Sequence, residues 1–250
     1  MITRILIDKD GNQYYQKDAK KVATHFGEMA ADVINNAVDG DTILSSTHEK
    51  ITVITPTWLD QYKRLSRGPQ IMLLKDLGVI AAETGMGSDS IVGDAGTGSG
   101  AAACYFARHV KHVMSFDVVP EHTTIGQKNA DELGMTNTTF ITHDVYTSIP
   151  LAMVDGDKKL YDVFVLDNPE PWLALAHMNV LKIGGYVVGY MPSINQTAEF
   201  ARALQEHPQF QYARTVELME RVWAIKGMRV RPSSESIGHT GFLVFARKIR

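Results

Sequence analysis

The sequence predicts an α/β fold, a doubly wound parallel sheet with an antiparallel pair at its C-terminal edge, preceded by a small N-terminal β domain. Three observations carry this. From about residue 90, strand-like and helix-like segments alternate at the spacing of parallel crossover units. A glycine-rich turn joins the first strand of that series to its first helix. Before residue 65, the apolar residues alternate in short runs separated by Asp10-Gly11 and Asp39-Gly40, the pattern of a β module with tight turns.

The N-terminal domain is expected over residues 1–65, with strand-like runs at Arg4–Ile7, Thr42–Leu44 and Ile51–Ile54, and no chemistry is evident in it. From Pro69 to Glu83 the apolar spacing of Ile71, Leu74, Leu77, Val79 and Ile80 is helical and ends near Gly85 and Gly87, a segment that bridges to a second domain over residues 66–250. Length and a 44% hydrophobic, 21% charged composition fit one α/β core with a small accessory domain. Charges interrupt Met1–Asp10 too early for a signal peptide, and no eighteen apolar residues run together, so a cytoplasmic protein with no membrane partner is expected. The lone Cys104 excludes an internal disulfide and a cysteine-based zinc site, and helix packing is its expected role.

In the second domain the pattern gives strands at Ser90–Asp94, His112–Asp117, Thr138–Thr142, Tyr161–Asp167 and Gly185–Tyr190. Helices are expected at Ala101–His109, Val119–Leu133, Trp172–Leu181 and Ile194–Glu206. Gln211–Val230 is a strand-rich stretch, and Thr240–Lys248 a last strand reached without a clear helix. Two successive strands with no crossover form the antiparallel edge pair.

The run Asp94-Ala95-Gly96-Thr97-Gly98-Ser99-Gly100-Ala101 is an acid followed by glycines at every second residue. Glycines there let the backbone pass beneath a ligand. Dinucleotide-binding turns usually space them Gly-x-Gly-x-x-Gly, so the shift favours S-adenosylmethionine, which has no pyrophosphate to seat; a tight turn with no ligand is the bland alternative. Asp117 ends the next strand, placed to accept hydrogen bonds from a ribose, and Asp144 ends the third, where an adenine would lie. Each acid alone would pass for a helix N-cap, whereas three at strand ends along one crevice point to a ligand.

The fourth strand ends in Asp167-Asn168-Pro169-Glu170-Pro171-Trp172, a proline-stiffened polar loop suited to clamping a planar base and similar to the Asp/Asn-Pro-Pro-aromatic loop of adenine methyltransferases. With it, the chain resembles the tRNA (adenine-N1)-methyltransferase family that modifies the T-loop adenosine at tRNA position 58. The matching runs are Arg67-Gly68-Pro69-Gln70 with Lys75-Asp76, Asp94–Gly100, Asp167–Trp172, and Arg231-Pro232 followed by Gly238–Lys248. The resemblance implies a class I S-adenosylmethionine-dependent methyltransferase fold, Rossmann-like, with a seven-stranded sheet and an antiparallel C-terminal hairpin. It also implies that Met72, Ser99, Gly100, Ala101, Asp117, His122, Asp144 and Val145 join Gly96 and Gly98 around the cofactor, that Asp167 faces the target adenine and is the catalytic residue, and that the chain is a homotetramer acting on tRNA. The family often has Tyr-Pro before Lys-Asp, where this chain has Leu73-Leu74.

A net charge of -3 argues against a protein that coats nucleic acid by charge alone. Lys226, Arg229 and Arg231 would form a local basic patch able to hold phosphates, or a strand edge blunted by charge, and Arg247, Lys248 and Arg250 end the chain. Trp172 reads either as a base-stacking ring or, more simply, as core, and His239 as structural. The histidines show no metal-ligand spacing. A nicotinamide oxidoreductase lacks its glycine spacing here. A methyltransferase with another acceptor and a non-catalytic tRNA-binding subunit are the remaining alternatives.

Overall fold

The computed structural model describes residues 1–66, 71–235 and 237–250, so the Arg67–Gln70 run and Ser236 lie outside the described residues. The chain divides into two compact units, Met1–Leu65 and Ser66–Arg250.

The N-terminal unit contains β1 (Ile2–Ile7), β2 (Gln13–Lys17), β3 (Val22–Thr24), β4 (Gly27–Met29), α1 (Ala31–Asn36), β5 (Thr42–Leu44), β6 (Lys50–Ile54) and α2 (Trp58–Tyr62). Four strands form an antiparallel sheet in the order β2-β1-β6-β5, and β3 and β4 make a hairpin. Leu6, Val22, Met29, Ile34 and Ile51 fill its core. The two short helices were not evident in the sequence: α1 is only six residues long with no side-chain cap, and α2 is held by a capping box between Thr57 and Asp60.

The second unit opens with α3 (Leu74–Thr84), which ends at Gly85 in a left-handed conformation (φ 63°). It continues through β7 (Ile91–Ala95), α4 (Ala101–Ala107), β8 (His112–Asp117), α5 (Pro120–Glu132) and β9 (Thr138–Thr142) to a hairpin, β10 (Ala152–Val154) and β11 (Asp157–Lys159). Then come β12 (Tyr161–Leu166), a 3-10 helix at Pro171–Val180, β13 (Leu181–Met191), α6 (Ile194–Glu206), β14 (Phe210–Glu217), β15 (Trp223–Lys226), β16 (Arg229–Pro232) and β17 (Phe242–Lys248).

Seven of these strands form one sheet in the order β14-β17-β13-β12-β7-β8-β9. Strand β17 is antiparallel to both neighbours, so it inserts between β13 and β14 and completes the expected antiparallel C-terminal edge. Central strands β7 and β12 are almost wholly buried, as parallel strands covered on both faces must be. One core joins Phe116, Tyr161, Phe164, Phe200 and Val244, and Trp172 packs against its margin.

Two expectations are corrected. Trp172–Leu181 is a 3-10 helix rather than an α-helix, broken at Met178, and β13 begins already at Leu181 rather than at Gly185, so that Gly184 (φ 84°) lies inside the strand. The Gln211–Val230 stretch divides into β14 and most of a separate β15–β16 hairpin.

Candidate active site

Parallel strands place their carboxyl ends along one rim, and the glycine turn after β7 opens there. In-register pairing puts Asp94 of β7 beside Ser115 of β8 and Val165 of β12, so these side chains share one face of the sheet. Two residues further along, Asp117 and Asp167 return to that face. The backbone N–H of Asp167 donates to the Ala95 carbonyl at 2.8 Å, which extends the strand pairing by one residue.

These ends surround a cavity of about 440 Å³. Gly96, Gly98, Asp117, His122, Asp144, Val145 and Asp167 line it. Met72, Ser99, Gly100 and Ala101 are not among its lining residues. Gly100 also packs closely: a Cβ there would lie 2.6 Å from the Gly126 Cα and 3.1 Å from Phe140, so its bareness brings α4 and α5 together. Ser99 holds the same seam, its carbonyl accepting from Asn129 Nδ2 at 2.8 Å.

Asp117 is heavily engaged. Its Oδ2 accepts from the Gly98 N–H and faces His122 Nδ1, both at 3.0 Å, while Oδ1 accepts from the Val119 N–H at 3.0 Å. A carboxylate has about four lone-pair positions. One remains open on Oδ1, free to accept from a ligand hydroxyl. Asp144 uses Oδ1 to accept from the Tyr146 N–H at 2.8 Å.

The loop after β12 is tied down from outside. Glu170 N–H donates to the Tyr146 hydroxyl at 2.9 Å, His177 Nε2 meets the Tyr146 carbonyl at 2.9 Å, and Gln196 Nε2 donates to the Pro169 carbonyl at 2.9 Å. Burial, then the neighbouring charge of Asp94, pushes the Asp167 carboxyl up to about 7. Asp94 is itself raised to about 7 by burial, against a lowering hydrogen bond from Ser115.

Sequence reasoning left out Tyr146, His143 and Asn168, which also line the cavity. Asn168 and Tyr146 lie within runs already singled out or next to one, but their inward placement depends on loop geometry that spacing does not reveal.

Elsewhere, His239 bridges Glu217 (Nδ1, 2.6 Å) and the Pro192 carbonyl (Nε2, 2.8 Å), a structural arrangement. Lys226, Arg229 and Arg231 are exposed on the β15–β16 hairpin. Lys248 is no part of a surface basic cluster: it is buried, and its ammonium donates to the Met178 and Leu181 carbonyls at 2.9 Å each.

The model of a family described as the tRNA methyltransferase complex GCD14 subunit matches residues 51–231. The chain belongs to this family. It is 30% identical to the tRNA (adenine(57)-N(1)/adenine(58)-N(1))-methyltransferase TrmI of Methanocaldococcus jannaschii over 98% of this chain and 94% of that protein. It is 27% identical to the tRNA (adenine(58)-N(1))-methyltransferase TrmI of Thermus thermophilus over 98% of this chain and 96% of that one. Among solved structures, a Thermotoga maritima protein described as an S-adenosylmethionine-dependent O-methyltransferase superposes with a TM-score of 0.86 at 26% identity, covering 100% of this chain and 93% of its own.

The GCD14 family member thus has the class I S-adenosylmethionine-dependent methyltransferase fold, and its cofactor is S-adenosylmethionine. The residues present fit that group. At Gly96 (φ 98°) a Cβ would overlap the Asp167 carbonyl, so the cavity floor is bare backbone, and Asp117 keeps an acceptor position facing the space.

Proposed function

We propose that this chain methylates N1 of the T-loop adenosine at position 58 of tRNA, and that a neighbouring adenosine is a second acceptor. The observation that carries this reading is the Asp167 carboxyl on the cavity wall, held by a stiff loop at a strand end and joined there by cofactor-type acids. The names of the relatives support the same substrate.

In this reading Gly96, Gly98, Asp117, His122, Asp144 and Val145 hold the cofactor, and Ser99, Gly100 and Ala101 act by shaping the turn beneath it, with Met72 buried ahead of α3. Asp117 Oδ1 accepts from a ribose hydroxyl. Bound S-adenosylmethionine supplies an electrophilic methyl group on a sulfonium. Adenine N1 brings its own lone pair, so the protein needs no nucleophile, and positioning carries most of the acceleration. Asp167 accepts a hydrogen bond from the exocyclic amino group, whose acidity rises as N1 gains charge, and takes its proton. A carboxyl near pKa 7 is well matched to that proton transfer at neutral pH. The target base is paired or stacked in folded tRNA and is extruded into the cavity.

The exposed Arg229 and Arg231 of β16 contact tRNA phosphates, and the exposed apolar residues Trp223, Ile225, Met228 and Val230 of the same hairpin support self-association into a homotetramer. Its place of work is the cytoplasm; among the described residues no helix is long and apolar enough to cross a membrane.

The test is incubation of the purified protein with an unmodified tRNA transcript and S-adenosylmethionine, then digestion and mass spectrometry. Formation of 1-methyladenosine mapped to the T-loop supports the reading. Methylation of another nucleoside, or none with cofactor binding intact, overturns it.

A further inference from the structure

Asp94 is the acid of the glycine motif, yet it does not line the cavity. It is 1% exposed, beneath the floor. Its Oδ2 accepts from the Ser115 hydroxyl at 2.6 Å, and Ser115 in turn shares a 2.7 Å hydrogen bond with Thr97. Its Oδ1 is buried and has no partner. A fully ionised carboxylate would bury a charge with one oxygen receiving no hydrogen bond, whereas the neutral acid has no charge to desolvate.

Strand pairing sets Asp94 and Asp167 on the same face of adjacent strands, one pleat apart, with Gly96 between them offering no side chain. We propose that Asp94 and Asp167 form a coupled carboxyl pair that holds one proton on one or other acid beneath the cofactor site, and that binding of the S-adenosylmethionine cation expels this proton to solvent. The inference rests on the cavity being the cofactor site.

Two carboxyls at one buried site cannot both ionise freely, and they titrate as a unit. The other groups facing the pair are Asp117 from β8, the Cys104 thiol from α4, and the Tyr190 phenol from β13. Burial pushes both that thiol and that phenol up to about 12, so both stay neutral, and Asp117 adds negative charge that further disfavours ionisation. Among the described residues neither Asp94 nor Asp167 has a cationic partner. A sulfonium in the cavity would be the missing positive charge. Its arrival favours the ionised pair, the proton leaves to bulk buffer, and Asp167 is left charged as a base. S-adenosylhomocysteine has a neutral sulfur and supplies no such drive.

Titration calorimetry at pH 6.5–7 in buffers of different ionisation enthalpy counts the protons. Release of about half to one proton per S-adenosylmethionine, with near zero for S-adenosylhomocysteine, is expected. Affinity for S-adenosylmethionine, but not for S-adenosylhomocysteine, should rise by up to about tenfold for each unit by which the pH is raised toward neutrality. Asp94→Asn should abolish the release, and Asp167→Asn should do the same from the other side of the pair, so the test survives poor folding of either variant. Equal proton counts for the two ligands, or undiminished release in both variants, overturns the proposal while leaving the cofactor site standing. No binding of either ligand by the wild-type protein overturns both.

Discussion

Gly96 and Asp167 meet through their main chains: the Asp167 carbonyl oxygen occupies the space that a Cβ on residue 96 would need, and Gly96 has a φ of 98°. Both facts forbid a side chain there, and backbone cannot swing away as a flexible side chain would. Gly98 differs, for at φ 51° its nearest obstacle is the Gly96 carbonyl at 4.0 Å. Gly98→Ala should therefore cost only left-handed strain, about 1–2 kcal/mol, or a few degrees in Tm. Gly96→Ala should cost at least about 3 kcal/mol and weaken S-adenosylmethionine binding more than tenfold. Equal melting temperatures for the two variants would refute this account of the turn.

Asp167 is expected to matter to chemistry far more than to cofactor affinity. Asp167→Ala should lower kcat by about 10²–10⁴-fold, the range for loss of a positioned base or charge stabiliser. The Kd for S-adenosylhomocysteine, whose neutral sulfur draws nothing from the Asp167 charge, should change by less than about fivefold. Parallel losses in kcat and affinity, measured by single-turnover methylation and calorimetry, would show that Asp167 builds the cavity instead of serving the reaction.

Much of this frame was legible because parallel strands and amphipathic helices have different periods. Strands β8 and β9 and helix α6 begin and end at the residues the pattern indicates. The Trp172–Leu181 segment misled because its apolar run, entered through Pro171, suits a 3-10 helix as well as an α-helix. The β10–β11 hairpin turns at Asp155-Gly156, both with positive φ, a local signal left unread because the flanking runs are only three residues long. At the site, the strand-end acids could be read from sequence, but Asp94 being capped on one oxygen and orphaned on the other could not, since that depends on Ser115 from the next strand. Gly100 was legible as part of a motif, yet its packing against Gly126 needed the fold.

The raised carboxyls make stability pH-dependent in a stated direction. An acid whose folded pKa lies above its unfolded value near 3.8 stabilises the fold fully below that value, and the contribution is lost as pH rises through the folded pKa. For Asp94, raised to about 7, the ligand-free catalytic unit should lose on the order of 2–4 kcal/mol between pH 4 and pH 8. Asp94→Asn should flatten that slope and melt higher than wild type at pH 8. Asp8 works the other way: its hydrogen bonds with Asn12, Tyr14 and Asp10 hold it at about 2 against desolvation, so its stabilisation is present above pH 4 and fades toward pH 2. Calorimetric melting of wild type and Asp94→Asn across pH 4–8 decides the point, and identical slopes would count against a neutral Asp94.

Lys75 and Asp76 pose a different electrostatic problem. The Asp76 side chain is wholly buried, and its two oxygens are met by the Lys75 ammonium at 2.7 Å and the Thr240 hydroxyl at 2.9 Å, while Lys75 also donates to Thr240 at 2.7 Å. This knot joins α3 to the loop before β17, residues 165 apart in sequence for the Lys75–Thr240 bond. Removing only the cation strands a buried charge, which typically costs about 3–5 kcal/mol. Lys75→Met should therefore destabilise by about that amount, and Asp76→Asn in the same chain should recover much of it, since the amide removes the charge while keeping the shape. In a urea-unfolding double-mutant cycle the two changes should couple by more than about 1 kcal/mol. Additive effects would mean that Lys75 stabilises through its aliphatic stem alone, and that the ion pair contributes nothing net to the fold.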